Sequence, residues 1–302
     1  MGRTLDYARL DTEAGNPAAE GLDRLSTPDI LALMSKEDAR VVAAVRAARK
    51  GIALAAGRVA TALGGGGRLF LAGAGTSGRL AVLEAAECPP TFGTRPEQVQ
   101  AIIAGGRGAV FRSREGAEDR EADGRAEVRR RRVGEGDVLG GVAASGVTPF
   151  VRGALSEARR RGAWTFLLTC ARPIGDPVPA DVRVELSVGP EVLAGSTRLK
   201  AGTATKMALN MITLAAFVRL GKVYDRWMVD VRPMSRKLEE RAKRLVATLT
   251  GLPAPLAEDL LRRARQNVKA AVVMFATGLP LRGAREVLAR AQGSLREALG
   301  KR

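Results

Sequence analysis

The sequence predicts an α/β protein in which a five-stranded parallel sheet lies between two layers of helices, a three-layer sandwich. Between residues 68 and 188, five short apolar runs alternate with helix-length segments. Buried strands separated by helices are typical of βαβ units, whose parallel sheet is covered on both faces. Helical patterns precede this region, and after Val231 the pattern is helical only. We therefore expect N-terminal helices before the sheet and a small C-terminal helical domain after it.

The N-terminal part is predicted to be a polar arm as far as Leu25 and helical beyond it. Thr27-Pro28-Asp29 combines a capping hydroxyl, a proline at the first helical position and an acid in the first turn. Ser35 followed by Asp38 resembles a second capping box, and from there apolar residues recur at three- and four-residue steps from Val41 to Leu63. This spacing predicts one long amphipathic helix, ended by the glycines at 64–67.

The remaining elements follow from the same patterns. Strands are expected at Arg68–Ala72, Val99–Ala104, Asp137–Ala143, Trp164–Thr169 and Val182–Val188. Helices are expected at Ser77–Glu87, Glu115–Arg132, Thr148–Arg161, Gly202–Leu220, Glu239–Thr250, Leu256–Thr277 and Arg282–Leu299. The predicted domains are 1–58 (arm and helices), 59–222 (α/β domain) and 236–302 (C-terminal helices).

Composition restricts the chemistry. The 302 residues contain no histidine and only two cysteines, Cys88 and Cys170. A Ser-His-Asp triad, a His-ligated zinc site and a disulfide framework are therefore excluded, and carboxylates become the main candidates for acid–base work. We expect no cofactor, no metal and a reducing cytoplasm. The polar N-terminus does not resemble a secretory signal, and we expect no run of the roughly 20 apolar residues that span a bilayer.

A net charge of +17 raises the alternative of nucleic-acid binding. However, the cations are mostly arginines scattered along the chain, and the densest run, 129–132, ends a predicted helix, where the helix dipole favours cations. Aromatic residues make up only 4%, so bases would find few stacking partners. These observations favour an anionic small-molecule substrate, with RNA as the lesser alternative.

A glycine-rich turn, Gly73-Ala74-Gly75-Thr76-Ser77-Gly78, follows the first strand and opens a helix. Its GxGxxG pattern is the dinucleotide fingerprint, but the second strand does not end in the acid that would bind a ribose. The hydroxyls of Thr76 and Ser77, with the free N–H groups of a helix start, suit a phosphate monoester better. A tight turn without a ligand is the third interpretation. We favour the phosphate.

A second turn follows the third strand, in Ala143-Ala144-Ser145-Gly146-Val147-Thr148-Pro149. Alone, its hydroxyls would most often be only a helix N-cap. However, two hydroxyl-rich turns at the carboxyl ends of parallel strands favour a ligand, because open α/β sheets bind ligands at that edge.

A third cluster places Ser196, Thr197, Arg198 and Lys200 ahead of a predicted helix. Hydroxyls and cations together suit an anionic substrate. A helix cap with solvated charges explains the same residues equally well.

Two pairs of glutamates could provide acid–base chemistry. Glu84 and Glu87 are three residues apart on the helix after the first turn, so we expect them to share a face, and Pro89-Pro90 are expected to end that helix. Glu115 and Glu118 are expected in the first turn of the next helix, where the dipole favours acids. Spacing alone makes neither pair catalytic.

The segment GAGTSGRLAVLEAAECPPTFG at 73–93 resembles the signature of the N-acetylmuramic acid 6-phosphate etherases. Further matches are IIAGG at 102–106, EGAED at 115–119, AASGVTP at 143–149, GPEVLAGSTRLKAGTATK at 189–206 and LGKVY at 220–224. The resemblance spans roughly residues 20 to 300. It implies a sugar isomerase (SIS) domain with a five-stranded parallel sheet, and a homodimer whose sites lie near the subunit interface.

The resemblance also implies a lyase that removes D-lactate from N-acetylmuramic acid 6-phosphate and leaves N-acetylglucosamine 6-phosphate, a reaction of peptidoglycan recycling. By motif, Glu87 and Glu118 would be the two catalytic acid–base residues, and which proton belongs to which is open. The sugar phosphate would contact Thr76, Ser77, Gly78, Ser145, Gly146, Thr148, Ser196 and Thr197, with Arg198 and Lys200 adding charge.

Other proteins with this domain leave two alternatives. The chain also resembles glucokinase regulatory proteins, which bind sugar phosphates without catalysis but are longer and carry two such domains. A sugar-phosphate-sensing transcription regulator ranks third, because the N-terminal helices lack a clear basic recognition helix.

Three segments depart from the etherase pattern. Val147 stands where the family usually has arginine, which removes a cation beside the second turn. Asp225-Arg226-Trp227 and Pro233-Met234-Ser235 replace the usual Gly-Asn-Leu and Ala-Thr-Asn. We expect these changes to affect substrate preference more than fold.

Overall fold

The computed structural model describes residues 10–172, 178–231 and 236–300. The chain divides into two compact units. The first unit comprises the chain up to Ala85 together with Glu97–Thr213, and the second comprises Ala86–Pro96 together with the chain from Leu214. The departure at 233–235 lies outside the described residues.

The first unit contains a five-stranded parallel sheet, which confirms the predicted fold class. Its strands are β1 (Leu69–Gly73), β2 (Val99–Ile103), β3 (Val138–Val142), β4 (Trp164–Thr169) and β5 (Val182–Glu185). They lie in the order β2-β1-β3-β4-β5, and every neighbouring pair is parallel. β1 and β3 are buried along their whole length, as expected for central strands covered on both faces.

The helices that surround this sheet are α1 (Thr27–Ala47), α2 (Arg49–Gly64), α3 (Gly75–Phe92), α4 (Glu121–Arg130), α5 (Pro149–Arg160) and α6 (Lys200–Arg219). α5 packs against β1, β3 and β4, whereas α2 packs against β1, β3 and β5. Phe70 and Ala72 belong to the α5-side core. Because side chains alternate along a strand, the equally buried Leu69 and Leu71 face the other layer.

The long N-terminal helix predicted from periodicity is wrong, and Ser35, the second predicted helix start, lies within α1. The structure has two helices, α1 and α2, that meet at Ala48, whose φ and ψ are −77° and 0°. The hydrogen bonds from the Ala48 N–H to Ala44 O and from the Ile52 N–H to Ala48 O continue across the break. A one-residue break keeps the apolar spacing nearly intact, so the pattern could not reveal it. The predicted polar arm, in turn, contains 3₁₀ turns at Pro17–Ala19 and Leu22–Arg24.

Pro89 and Pro90 do not end α3 as expected, because the helix continues to Phe92. A proline in a helix interior removes an N–H donor, yet its fixed φ is compatible with the helix. The next turn is held by a hydrogen bond from the Gly93 N–H to Pro89 O of 3.0 Å.

The helix expected from Glu115 starts only at Glu121, so the segment 115–119 is a turn that precedes α4. The Glu118 carbonyl accepts a hydrogen bond of 2.9 Å from the Phe150 N–H in the first turn of α5. The first-turn placement of Glu115 and Glu118 is therefore wrong, and the bond fixes the turn beside the start of α5.

The second unit contains the end of α3, a short hairpin of β6 (Val223–Tyr224) and β7 (Trp227–Met228), and the end of α6. Its remaining helices are α7 (Arg236–Thr250), α8 (Ala254–Arg263), α9 (Val268–Thr277), α10 (Leu281–Arg290) and α11 (Leu295–Ala298). Three helices were expected here. The longer two are each divided, at Arg265-Gln266 and at Gln292, where φ is positive. Asn267 and Ser294 then cap the helices that follow.

Lys200–Arg219, the helix α6, is long and apolar enough by length and composition to cross a membrane. By length and composition, therefore, this helix does not meet the expectation that no apolar run would reach the length of a membrane span. Half of the apolar stretch of α6 is buried within the protein, and helices in protein cores can be equally long and apolar.

The close packing of α4 against α5 generates a stability prediction. A Cβ on Gly153 would lie 2.1 Å from Glu121 O, and one on Gly124 would lie 2.0 Å from Phe150 O. Gly153→Ala must push the helices apart, so we expect it to lower the free energy of unfolding by about 1–3 kcal/mol in urea titrations. The control Gly57→Ala has open space around it. It should be neutral or stabilise by up to about 1 kcal/mol, and equal effects of the two changes would contradict the prediction.

Candidate functional site

The two glycine-containing turns meet at the carboxyl edge of the sheet. β1 pairs directly with β3, with Gly73 opposite Val142, so the segments that follow these residues are neighbours. α3 begins within the first turn and α5 directly after the second. Two helix N-termini, with free N–H groups and the positive ends of their dipoles, therefore border the same space.

A cavity of about 490 Å³ opens at this edge, within the first unit. Its polar lining consists of hydroxyls and carboxylates. The hydroxyls are those of Thr12, Thr76, Ser77, Ser145, Thr148 and Thr197, and the carboxylates those of Glu13, Glu118 and Asp119. Six of the predicted site residues therefore line one cavity: Thr76, Ser77, Ser145, Thr148, Thr197 and Glu118. Within the described ranges, no lysine or arginine lines it.

Both glycines predicted to contact substrate are absent from this lining and pack behind it. A Cβ on Gly78 would lie 2.6 Å from Ile103 Cγ1 and 2.8 Å from Gly73 O, so Gly78 lets α3 approach the sheet closely. Gly146 has φ +74°, and a Cβ there would lie 2.8 Å from both Arg183 Nη2 and Thr169 Oγ1. Ser196 and Arg198 are also outside the lining residues.

Lys200 lies in the interior instead of the cavity. Its ammonium is 2.6 Å from the Glu37 carboxylate, and both side chains are at least 99% buried. It also donates to Pro190 O at 2.6 Å, while Asn16 Nδ2 donates to Glu37 at 2.8 Å. The charge predicted for the substrate is therefore used within the protein, where it fixes the start of α6.

Glu191, which sequence reasoning did not single out, caps α6. Its buried carboxylate accepts the N–H groups of Lys200 and Ala201 at 3.1 and 2.9 Å. Burial raises the pKa of Glu191 above the ordinary value, although these hydrogen bonds and the Lys200 charge oppose the shift. The turn that carries Thr197 is thus anchored directly before α6.

Glu118 projects from the turn before α4 and lines the cavity. Withdrawal of its carboxylate from solvent, assisted by the charges of Asp119 and Glu115, raises its pKa above the ordinary value. A carboxyl group with a raised pKa keeps its proton closer to neutral pH and is suited to proton transfer.

Glu84 and Glu87 lie in different environments, although we expected them on one face. Glu84 is buried and accepts hydrogen bonds from Lys206 Nζ at 2.8 Å and Thr213 Oγ1 at 2.6 Å. These contacts give the Glu84 carboxylate a structural role. Glu87 is exposed on α3 and belongs to the second unit, so its catalytic role remains a prediction.

The N-terminal arm is the part of the site that sequence reasoning missed. Leu10, Thr12 and Glu13 line the cavity beside Gly195. The sequence contains no signal for it, because Leu10 is followed by three polar residues and the segment has no apolar periodicity.

Val147 is buried with Leu10 and Ala171 in a small apolar cluster, so it packs against the N-terminal arm and helps to hold it in place. A cation nevertheless lies behind the second turn, because Arg183 on β5 donates to Ala171 O at 2.9 Å and approaches Gly146. Arg183 therefore supplies a cation near the second turn, where the family arginine is missing, but it does not line the cavity.

Cys170 directly follows β4, at the same edge of the sheet as the two turns. It lies buried at the end of β4, and burial raises its pKa to about 12. It is a thiol at neutral pH and a poor nucleophile.

The parallel α/β unit with a hydroxyl-lined cavity at its carboxyl edge has the SIS-like fold, as a family model indicates. Residues 52–159 match the family model described as glucokinase regulatory protein N-terminal SIS domain. N-acetylmuramic acid 6-phosphate etherase of Gloeobacter violaceus is 52% identical over 90% of this chain and 89% of its own length. The corresponding protein of a Nostoc species is 50% identical over 99% and 97%. The chain belongs to the N-acetylmuramic acid 6-phosphate etherase family.

Two solved structures are more distant. A protein of E. coli CFT073, solved as a complex, is 16% identical over 64% of this chain and 93% of its own, with a TM-score of 0.46. Vibrio vulnificus NanR complexed with ManNAc-6P is 17% identical over 78% and 75%, with a TM-score of 0.40. Neither likeness adds to the family assignment.

The buried Glu37–Lys200 pair leads to a prediction about acid stability. Burial raises the pKa of Glu37, but hydrogen bonds from Lys200 and Asn16 and the charges of Lys200 and Arg40 bring it below the ordinary value. The stabilisation from the charged form is complete above the unfolded pKa of about 4.3 and is lost as pH falls through the lower native pKa.

We therefore expect Glu37→Gln to cost about 3–5 kcal/mol of unfolding free energy at pH 7 and progressively less below about pH 4. Urea titrations of wild type and variant across this range measure the difference. The control is the double variant Glu37→Leu/Lys200→Met, which should recover much of the loss because no charge is left buried alone. A pH-independent difference would contradict the assignment.

Glu115 is one source of the raised pKa of Glu118. Glu115→Gln removes that repulsion, so we expect the pKa of Glu118 to fall, as measured by ¹³C NMR titration of its carboxyl carbon. Glu135→Gln, an exposed change at another position, should leave it unchanged. An unchanged Glu118 titration in Glu115→Gln would contradict the Glu115 contribution and leave burial and the Asp119 charge as the causes of the shift.

Proposed function

We propose that this chain is an N-acetylmuramic acid 6-phosphate etherase, which cleaves the D-lactyl ether of its substrate and gives N-acetylglucosamine 6-phosphate and D-lactate. The observation that carries the proposal is the placement of Glu118 with two hydroxyl-rich turns around one cavity. Relatives bearing this name that align over nearly the full chain support it.

The phosphate group is assigned to the sheet edge. Thr76 and Ser77 at the start of α3 and Ser145 and Thr148 before α5 offer hydroxyls beside the free N–H groups of two helices. This arrangement binds anions through backbone dipoles and does not need a side-chain cation. It therefore suits a cavity lined by no described lysine or arginine.

The reaction is an elimination followed by an addition. In the open-chain sugar the aldehyde acidifies the C2 proton. A carboxylate removes that proton, the electron pair forms the C2–C3 double bond, and the lactyl oxygen leaves C3. The leaving oxygen takes a proton from a carboxylic acid, and water then adds to C3 while C2 regains a proton. Two carboxyl groups are sufficient for these transfers.

Glu118 is the base for C2 or for the water in this scheme, and its raised pKa suits a group that takes and returns a proton near neutral pH. Glu87, matched by its place before Cys88-Pro89-Pro90, is the proton donor to the lactyl oxygen. Its exposure is compatible with a site completed by a second subunit in the proposed homodimer.

The family model described for glucokinase regulatory protein favours one alternative, a sugar-phosphate sensor without catalysis. We place the enzyme first because Glu118 lies in the cavity with the proposed phosphate site. A reducing cytoplasm is the proposed compartment, consistent with two buried free cysteines.

Release of D-lactate from N-acetylmuramic acid 6-phosphate tests the proposal. Glu118→Gln and Glu87→Gln keep the side-chain shape but cannot transfer a proton, so we expect kcat to fall by about 10²–10⁴-fold in each. Glu135→Gln, an exposed glutamate on the turn before β3, should retain wild-type activity. Saturable binding of the sugar phosphate without any lactate release by wild type would establish the sensor instead.

A further inference from the structure

The arm segment Leu10–Glu13 is held in place at several points. Leu10 is 1% exposed and packs against Val147 and Ala171. The Glu13 N–H donates a hydrogen bond of 2.9 Å to Leu10 O, which closes a turn. The Gly195 N–H donates to Thr12 O at 3.2 Å, which ties the segment to the turn carrying Thr197. Farther along the arm, Asn16 is hydrogen-bonded to the buried Glu37.

Alternation along this segment decides which side chains face outward. Leu10 and Thr12 are buried, whereas Asp11 pairs with Arg172 and Glu13 is exposed along the cavity. Glu13 Oε2 would be 3.1 Å from a Cβ on Gly195, so the carboxylate lies over that glycine. Gly195 has φ +77°, a conformation that favours glycine.

The Glu13 carboxylate has no ion pair or hydrogen bond within the described part of the chain, although the protein carries a net charge of +17. A carboxylate only accepts hydrogen bonds, so it recognises hydroxyl or amide N–H groups and repels a phosphate. The helix N-termini at the sheet edge have the opposite preference.

We propose that Glu13 is a specificity-determining residue that accepts hydrogen bonds from the hydroxyl or acetamido groups of the bound sugar and directs its phosphate towards α3 and α5. This inference rests on the proposed function, because it concerns the same cavity. Glu13 recognises the uncharged part of the ligand, and the arm that carries it is a wall of the site.

Binding of N-acetylglucosamine 6-phosphate and of inorganic phosphate, measured by isothermal titration calorimetry, separates this role from a structural one. Glu13→Ala should weaken binding of the sugar phosphate about tenfold, since about one charge-assisted hydrogen bond is lost. Binding of inorganic phosphate should stay equal or become tighter, because a negative charge is removed. Glu13→Gln retains an acceptor oxygen and should lie between wild type and Glu13→Ala.

Glu20→Ala is the matched control, an exposed glutamate of the same arm that does not line the cavity. It should bind both probes as wild type does. Equal weakening of both probes by Glu13→Ala would mean that the arm had only loosened, and unchanged or tighter binding of the sugar phosphate would mean that Glu13 does not recognise it. Either result overturns the inference while leaving the proposed function intact. If wild type neither binds N-acetylglucosamine 6-phosphate nor releases D-lactate, both the inference and the proposed function are overturned.

Discussion

The buried ion pair between Glu37 and Lys200 is the constraint on which the first unit depends. It joins the middle of α1 to the first residue of α6, with Asn16 of the arm and Pro190 O in the same network. Removing two charges from water is costly, and three contacts offset that cost for Glu37. Lys200 and Asn16 donate hydrogen bonds to one carboxylate oxygen, and Arg40 lies 3.2 Å from the other. The geometry required for those bonds fixes the arm and the turn before α6, which both border the cavity.

The cavity that results combines an unusual set of groups for a protein rich in arginine. Its polar side chains, among the described residues, are hydroxyls and carboxylates, and the favourable potential for an anion comes from the N-termini of α3 and α5. Dipoles of this kind are held by the backbone and need no reorganisation when the ligand binds. We propose that the carboxylates then serve proton transfer and recognition of the neutral part of a sugar.

The strands and the two hydroxyl-rich turns could be predicted from sequence because each depends on local patterning. Apolar runs of about five residues bounded by turns revealed β1 to β5, and hydroxyls after β1 and β3 indicated the site. The helix break at Ala48 and the helical Pro89-Pro90 could not be predicted. At both positions tertiary packing can outweigh the local conformational preference of the chain. A single sequence does not show the balance between these two free energies.

Lys200 and Glu13 show the same limit at the site. A lysine beside hydroxyls is typical of an anion site, but its use depends on Glu37, which is 163 residues away in sequence. Glu13 lies in a polar arm without a motif, and only folding brings it beside Gly195. The sequence by itself determined the fold class, the two hydroxyl-rich turns and the family signature, because these depend on short-range periodicity and spacing. The tertiary structure alone decided which charged groups are buried in pairs and which face the cavity, because long-range contacts and burial set the free energy of a charge.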